Sequence, residues 1–157
     1  MLAKETLRMF PLFSDLDEDE LALVAAVAEK QHCPAGKRLF AEGEVNGTLY
    51  GVVKGSLQIN KMVQCDVEQT LCRLREGEFF GEVGFINGGT HCASADAVEE
   101  TVVFKIERGD FDSLVEKDPV LGYKVTIRLA GQLGRFLRDM DEQYLNLSSY
   151  VWGRGKR

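Results

Sequence analysis

Four cysteines, three prolines, two histidines and one tryptophan are spread over 157 residues, and each scarcity removes a class of protein. The cysteines (Cys33, Cys65, Cys72, Cys92) form no C-x-x-C pair. Neither a disulfide-stapled scaffold nor a cysteine-rich zinc site is therefore expected, and the thiols read as the reduced ones of a cytoplasmic protein. Two histidines without an H-x-H pair cannot build the usual imidazole cluster of a metal-dependent barrel enzyme. No apolar run approaches the roughly 20 residues of a membrane span, and Met1–Thr6 has no apolar core of signal-peptide length. Basic charge is short as well: 19 Lys and Arg stand against 25 Asp and Glu, for a net charge of −6. That balance argues against a surface that grips nucleic acid by charge. The sequence has no nucleophile elbow, P-loop or dinucleotide fingerprint, so no enzyme is expected.

What remains is the composition of one globular domain, 45% hydrophobic and 28% charged, long enough to bury a core of its own. It divides into three zones. Residues 1–30 read as helical: Pro11-Leu12-Phe13-Ser14-Asp15-Leu16 forms an apolar elbow, and Asp17-Glu18-Asp19-Glu20 supplies a helix cap with a carboxylate three residues on. Residues 31–106 switch to short strands at intervals of 8–12 residues with Gly-rich turns between them, the pattern of a small sandwich or barrel. Lys54-Gly55 has the look of a two-residue hairpin turn. Residues 110–150 return to helix, with Asp118-Pro119 placing proline at a first helical position. The basic tail, residues 151–157, reads as a solvated, disordered end.

The most informative stretch lies within the strand zone, after a strand-like run and the turn at Gly77, from Phe80-Gly81-Glu82-Val83-Gly84-Phe85 to Thr90-His91-Cys92-Ala93. Four glycines and a single carboxylate share this short segment. Glycines let backbone N–H groups converge on an anion, but a carboxylate beside such a nest would repel a bare phosphate. The combination makes sense for a ligand carrying a hydroxyl next to its phosphate, as a ribose does.

The last helix carries a second pattern. Leu129, Leu133, Phe136, Met140 and Leu147 fall at alternating spacings of four and three, with only Gln143 polar in the series, and Leu137 and Tyr144 widen the stripe. A helix of about 30 residues is near 45 Å long, more than one small barrel covers. The stripe therefore points to a second copy of the same helix, and a homodimer through residues 120–147 is expected over packing on its own barrel alone.

Barrel, glycine-rich loop with an internal Glu and long amphipathic helix together resemble the cyclic-nucleotide-binding domain family, in the form of a catabolite-activator-like sensor domain without the DNA-binding domain. The likeness runs from Pro11-Leu12-Phe13 to about Leu147. It implies a mainly β fold with flanking helices: a jelly-roll barrel, an N-terminal helical segment and a long C-terminal dimerisation helix, all in one domain over residues 1–147. Phe80-Gly81-Glu82-Val83-Gly84 is similar to the family's phosphate-binding cassette. By that resemblance Glu82 accepts from a ribose 2′-hydroxyl, Gly81 makes room for the sugar, and N–H groups around Gly84 and Phe85 face a cyclic phosphate. The ligand implied is cAMP or cGMP, with no other cofactor and no metal. Met140 and Asp141 fall where family members contact the base, though Asp141 also fits as an ordinary polar residue of the helix surface.

The chain departs from the pattern where the cassette normally ends in Pro-Arg. Here Thr90-His91-Cys92-Ala93 stands instead. Arginine is a permanent, fork-shaped clamp on phosphate, whereas an unassisted imidazole is mostly neutral at pH 7. Loss of a buried charge-assisted pair costs about 2–5 kcal/mol, so binding is expected to be weak and stronger at low pH. A ligand-free dimeric interaction module, its pocket filled by its own side chains, is the competing expectation. His32-Cys33 and His91-Cys92 raise a zinc or haem alternative, but adjacent residues of a strand point to opposite faces and neither pair has a metal spacing. Only ten residues follow Leu147, too few for a helix-turn-helix, so direct DNA binding is not expected.

Overall fold

The computed structural model describes residues 2–64 and 66–153, with side chains through residue 145. Cys65, the side chain of Leu147 and residues 154–157 of the basic tail lie outside what is described.

Four short elements precede the barrel strands proper. They are α1 (Lys4–Leu7), a 3-10 turn (Pro11–Phe13), α2 (Glu18–Val27) and β1 (Glu29–Cys33). The cap written into the sequence forms as a reciprocal pair. Asp17 accepts from the N–H groups of Asp19 (3.0 Å) and Glu20 (2.9 Å), and the Glu20 carboxylate accepts from Asp17 N–H at 2.8 Å, so three end-of-helix donors are satisfied at once. The helical zone stops at Val27, earlier than expected, because residues 29–33 pair along their whole length with the later strand β8 (Thr101–Glu107).

The other strands are β2 (Arg38–Phe40), β3 (Thr48–Lys54), β4 (Ser56–Gln64), β5 (Val67–Arg75), β6 (Phe79–Phe80), β7 (Ser94–Ala97) and β8 (Thr101–Glu107). They form two antiparallel four-stranded sheets, ordered β1-β8-β3-β6 and β2-β7-β4-β5. This is the double-sheet barrel with flanking helices that the sequence pattern implies. One local expectation is corrected. Lys54-Gly55 is no hairpin turn, since β3 and β4 belong to different sheets. It is the corner where the chain crosses between them, and Gly55 holds φ +88° with Glu100 O only 2.7 Å from where a Cβ would stand. The true hairpin joins β4 to β5.

After β6 comes the short helix α3 (Glu82–Asn87), and after β8 come α4 (Arg108–Lys117) and α5 (Pro119–Gly153). Asp118 caps α5 by accepting from Val120 and Leu121 N–H groups at 3.1 and 3.0 Å, and Pro119 occupies the first helical position as expected. Two apolar cores result. Leu57, Val52, Val103, Ala95 and Phe80 fill the barrel, while Phe104 and Ile106 of β8 meet Phe10, Phe13, Leu21, Phe111 and Leu121 of the helices.

The α5 stripe divides. Leu129 is buried on the molecule's own core, but Phe136, Leu137, Met140 and Tyr144 beyond it are all exposed. Tyr123, Ile127 and Leu137 are exposed as well, and their spacings of four and ten residues put them on one face of the helix. Among the described residues no helix is long and apolar enough to cross a membrane.

Candidate ligand-binding site

The cassette segment is built on a backbone reversal. Phe80 ends β6 facing the barrel, and Gly81 then takes φ +83° with Thr48 O 2.7 Å and Tyr50 3.4 Å from the place of a Cβ. A carbonyl cannot be pushed aside, and a left-handed φ strains any other residue. Gly81→Ala is accordingly expected to cost about 1–3 kcal/mol of stability by overpacking and strain. Chemical denaturation would show it as a lowered midpoint, whereas an unchanged midpoint would mean that this reversal carries no constraint.

Glu82 opens α3 and is buried, with 8% of its surface accessible. Loss of water raises its carboxyl above the ordinary glutamate range, and a hydrogen bond to its own backbone N–H pulls less strongly the other way. It takes part in no ion pair among the described residues. A carboxylate drawn out of water without a cation is costly unless donors complete it, so Glu82 is a group prepared for hydroxyl or N–H donors.

His91 arrives from the other side. Its backbone is fixed by Gly43 N–H to His91 C=O (2.8 Å) and His91 N–H to Glu44 C=O (2.9 Å). The imidazole lies flat on Phe40, with ring centroids 3.6 Å apart and planes 12° apart, and tilts against Tyr50. Its Nδ1 edge faces Gly84, while Nε2 is enclosed without a hydrogen-bond partner. Burial holds the ring below the ordinary histidine range, opposed to a lesser degree by the negative charge of Glu44.

These groups border a half-open hollow with about 170 Å³ of free space, walled by Ile59, Leu74 and Phe136 beside the cassette. Of the residues expected from sequence, Phe80, Gly81, Glu82, Val83, Gly84, His91 and Cys92 line it together. Four do not. Phe85 is 2% exposed and packs on Phe111 at 5.3 Å; its N–H donates to Gly81 C=O at 3.0 Å, so that amide is engaged within the helix and does not face a ligand. Thr90 is exposed and bridges Val45. Met140 and Asp141 are exposed on α5 beyond Phe136. The walls Phe40, Ile59, Cys72, Leu74 and Phe136 were not expected from sequence. Only Phe136, already in the helical stripe, carried any signal. Among the described residues no group of three or more His, Cys, Asp and Glu is placed to hold a metal ion.

Arg108 finishes the site from behind. One guanidinium nitrogen donates to the C=O groups of Phe85 (2.6 Å) and Ile86 (2.9 Å), another to Asp112 at 2.7 Å. It thus caps the C-terminal end of α3 and ties it to α4.

A sequence profile described as "Cyclic nucleotide-binding domain" matches residues 30–118, which include both sheets, the cassette and α4. The chain belongs to the cyclic nucleotide-binding domain family. Within that family it is similar to the "Cyclic AMP receptor protein" of Thermus thermophilus, 32% identical over 146 residues that cover 93% of this chain and 65% of the relative. The crystal structure of the Thermus thermophilus catabolite activator protein superposes with a TM-score of 0.76 at 33% identity, over 88% of this chain and 63% of the other. A cyclic nucleotide-binding domain from Methylobacillus flagellatus superposes with a TM-score of 0.79 at 25% identity, over 90% of this chain and 80% of the other. This member of the family therefore spans just under two thirds of the Thermus relative.

Proposed function

We propose that this domain is a non-catalytic regulatory sensor whose hollow receives a nucleotide-type ligand, cAMP or cGMP in the first instance, and whose occupancy is read through α5. The observation that carries this reading is Glu82: a carboxylate buried at the start of α3, beside a glycine reversal and an open cavity. A ribose hydroxyl is the donor such a group lacks. The route outward is Phe136, which is at once a wall of the hollow and part of α5. The free space left in the hollow speaks against a pocket filled by its own side chains. The exposed apolar length of α5 suits a second copy of the chain, giving a homodimer about that helix. The name of the Thermus relative supports cAMP as the first ligand to try.

Binding of a cyclic phosphate is expected to be weak, because His91 must be protonated to supply a cation. Its ring is held neutral by burial, opposed to a lesser degree by the negative charge of Glu44, while Glu82 lines the same hollow. A phosphate bound on the Nδ1 edge raises the imidazole pKa in the complex above that of the free protein. Affinity for cAMP then rises as pH falls through the histidine range, since the complex holds the extra proton. Calorimetry with cAMP and cGMP at pH 6 and pH 8 tests both points. Weak saturable binding that tightens at pH 6 supports the sensor, and affinity that is flat or greater at pH 8 removes the imidazolium from it. Backbone NMR shifts confined to Gly81–Gly84 and Phe136 would place the ligand.

A further inference from the structure

The composition of the hollow carries the sensor reading one step further, to the class of ligand, and this step rests on that reading. The lining holds one carboxylate (Glu82), one imidazole (His91), the thiols of Cys72 and Cys92, and otherwise hydrocarbon and aromatic surface. Among the described residues no lysine or arginine lines it. Arg73, Arg75 and Arg135 flank lining residues in sequence without lining the hollow themselves, and two other basic side chains on adjoining segments are committed. Lys61 Nζ bonds Glu42 at 2.9 Å and Cys92 C=O at 2.6 Å, and Arg108 is held by the α3 carbonyls and Asp112.

His91 makes a poor substitute cation for a geometric reason. Charging the ring puts a proton on both nitrogens, and Nε2 is sealed in with no acceptor. A buried N–H without a partner is among the rarer and costlier defects of a folded protein. With a single proton, the better place for it is Nδ1, on the Gly84 side, where the ring is a neutral donor. The hollow therefore offers a neutral donor and a buried carboxylate acceptor within otherwise largely apolar walls.

An anion entering this space gives up its hydration, meets the field of Glu82 and finds no countercharge. A molecule of the same shape without the phosphate avoids all three costs. Its hydroxyls still donate to Glu82, and a flat base still covers Ile59, Leu74 and Phe136. We propose that the ligand this hollow selects is an uncharged nucleoside, a sugar bearing a heteroaromatic base and no phosphate, held at its hydroxyls by Glu82 and against the apolar wall that Phe136 completes.

The experiment is calorimetry of the whole chain at pH 7.5 with four probes: adenosine, guanosine, cAMP and cGMP. The expected result is that at least one nucleoside binds about tenfold or more tightly than its own cyclic phosphate, the equivalent of about 1.4 kcal/mol. His91→Arg is expected to reverse that order. Cys92→Arg, which brings a cation to the exposed rim without disturbing the ring stack on Phe40, is expected to narrow it. A wild-type protein that binds either cyclic phosphate as tightly as the parent nucleoside, or more so, overturns this inference and leaves the sensor reading standing. If none of the four probes binds wild type or either variant, the sensor reading itself falls and this inference goes with it.

Discussion

Arginine in place of His91 is expected to tighten cAMP binding by about 10- to 100-fold at neutral pH. The gain comes from a permanent charge with a planar fork of donors, which an imidazole held neutral by burial cannot match. The site can accept the change. A guanidinium stacks on an aromatic face much as the imidazole now lies on Phe40, and Glu82 across the hollow offers an opposite charge while the site is empty. That pairing has a cost, because a buried ion pair recovers only part of its lost hydration. Hence the expected gain stays at the lower end of what a charge-assisted phosphate contact supplies. The pH dependence of cAMP affinity between pH 6 and pH 8 is expected to vanish in the same variant, since arginine does not titrate there. Calorimetry on the two proteins decides it: an arginine variant no tighter than wild type would show that the phosphate, if bound, lies away from residue 91.

Phe104→Ala is expected to be the most damaging single truncation, lowering stability by about 3–5 kcal/mol. Phe104 is fully buried on β8, edge-on to Phe10 at 4.7 Å and tilted against Phe13 at 5.9 Å. It also fills the space above Gly51, where a Cβ would sit 2.2 Å from its ring. Barrel and N-terminal segment thus meet on this one side chain, and truncation leaves a cavity that β-sheet backbone cannot collapse into. For a domain of this size, a loss of that magnitude shifts Tm by about 6–20 °C. Gly51→Ala alone is expected to destabilise by about 1–3 kcal/mol through overpacking, and to cost less in the Phe104→Ala background, where only the Phe10 ring, 2.6 Å from the added Cβ, still stands in the way and has the vacated space to move into. Thermal denaturation of the two single variants and the double variant tests the account. Additive losses would refute the idea that the two positions share one volume.

Local signals with a chemical mechanism were legible from the sequence. The Asp17–Glu20 box and Pro119 at the head of α5 each fix a structure within a few residues, and each forms as read. What failed to show was non-local. Whether Lys54-Gly55 closes a hairpin or crosses between sheets depends on which strands pair, and pairing is set by partners far along the chain: Lys54 meets Val102, and Leu57 meets Ala97. The walls of the hollow were hidden for the same reason. Ile59, Cys72 and Leu74 alternate with polar residues as any half-buried strand does, and only the closing of the second sheet directs them at Glu82. The resemblance named the cassette but placed Phe85 among ligand groups, because a helix of six residues leaves the direction of each side chain to packing. The departure at His91 was visible in the sequence, but its stacking on Phe40 and its enclosed nitrogen required the fold.

Two ion pairs bring the ends of the chain together. Lys124 of α5 binds both carboxylate oxygens of Glu20 at 2.7 Å, with Glu20 itself buried, and Arg128 holds Asp15 through two contacts of 2.5 and 2.6 Å. Residues more than a hundred positions apart are thereby riveted into a single yoke, with Leu12 and Leu21 packed beneath it. Any swing of α5 must drag the opening helices along, so a label attached near Met9 would report the displacement as faithfully as one on the long helix itself.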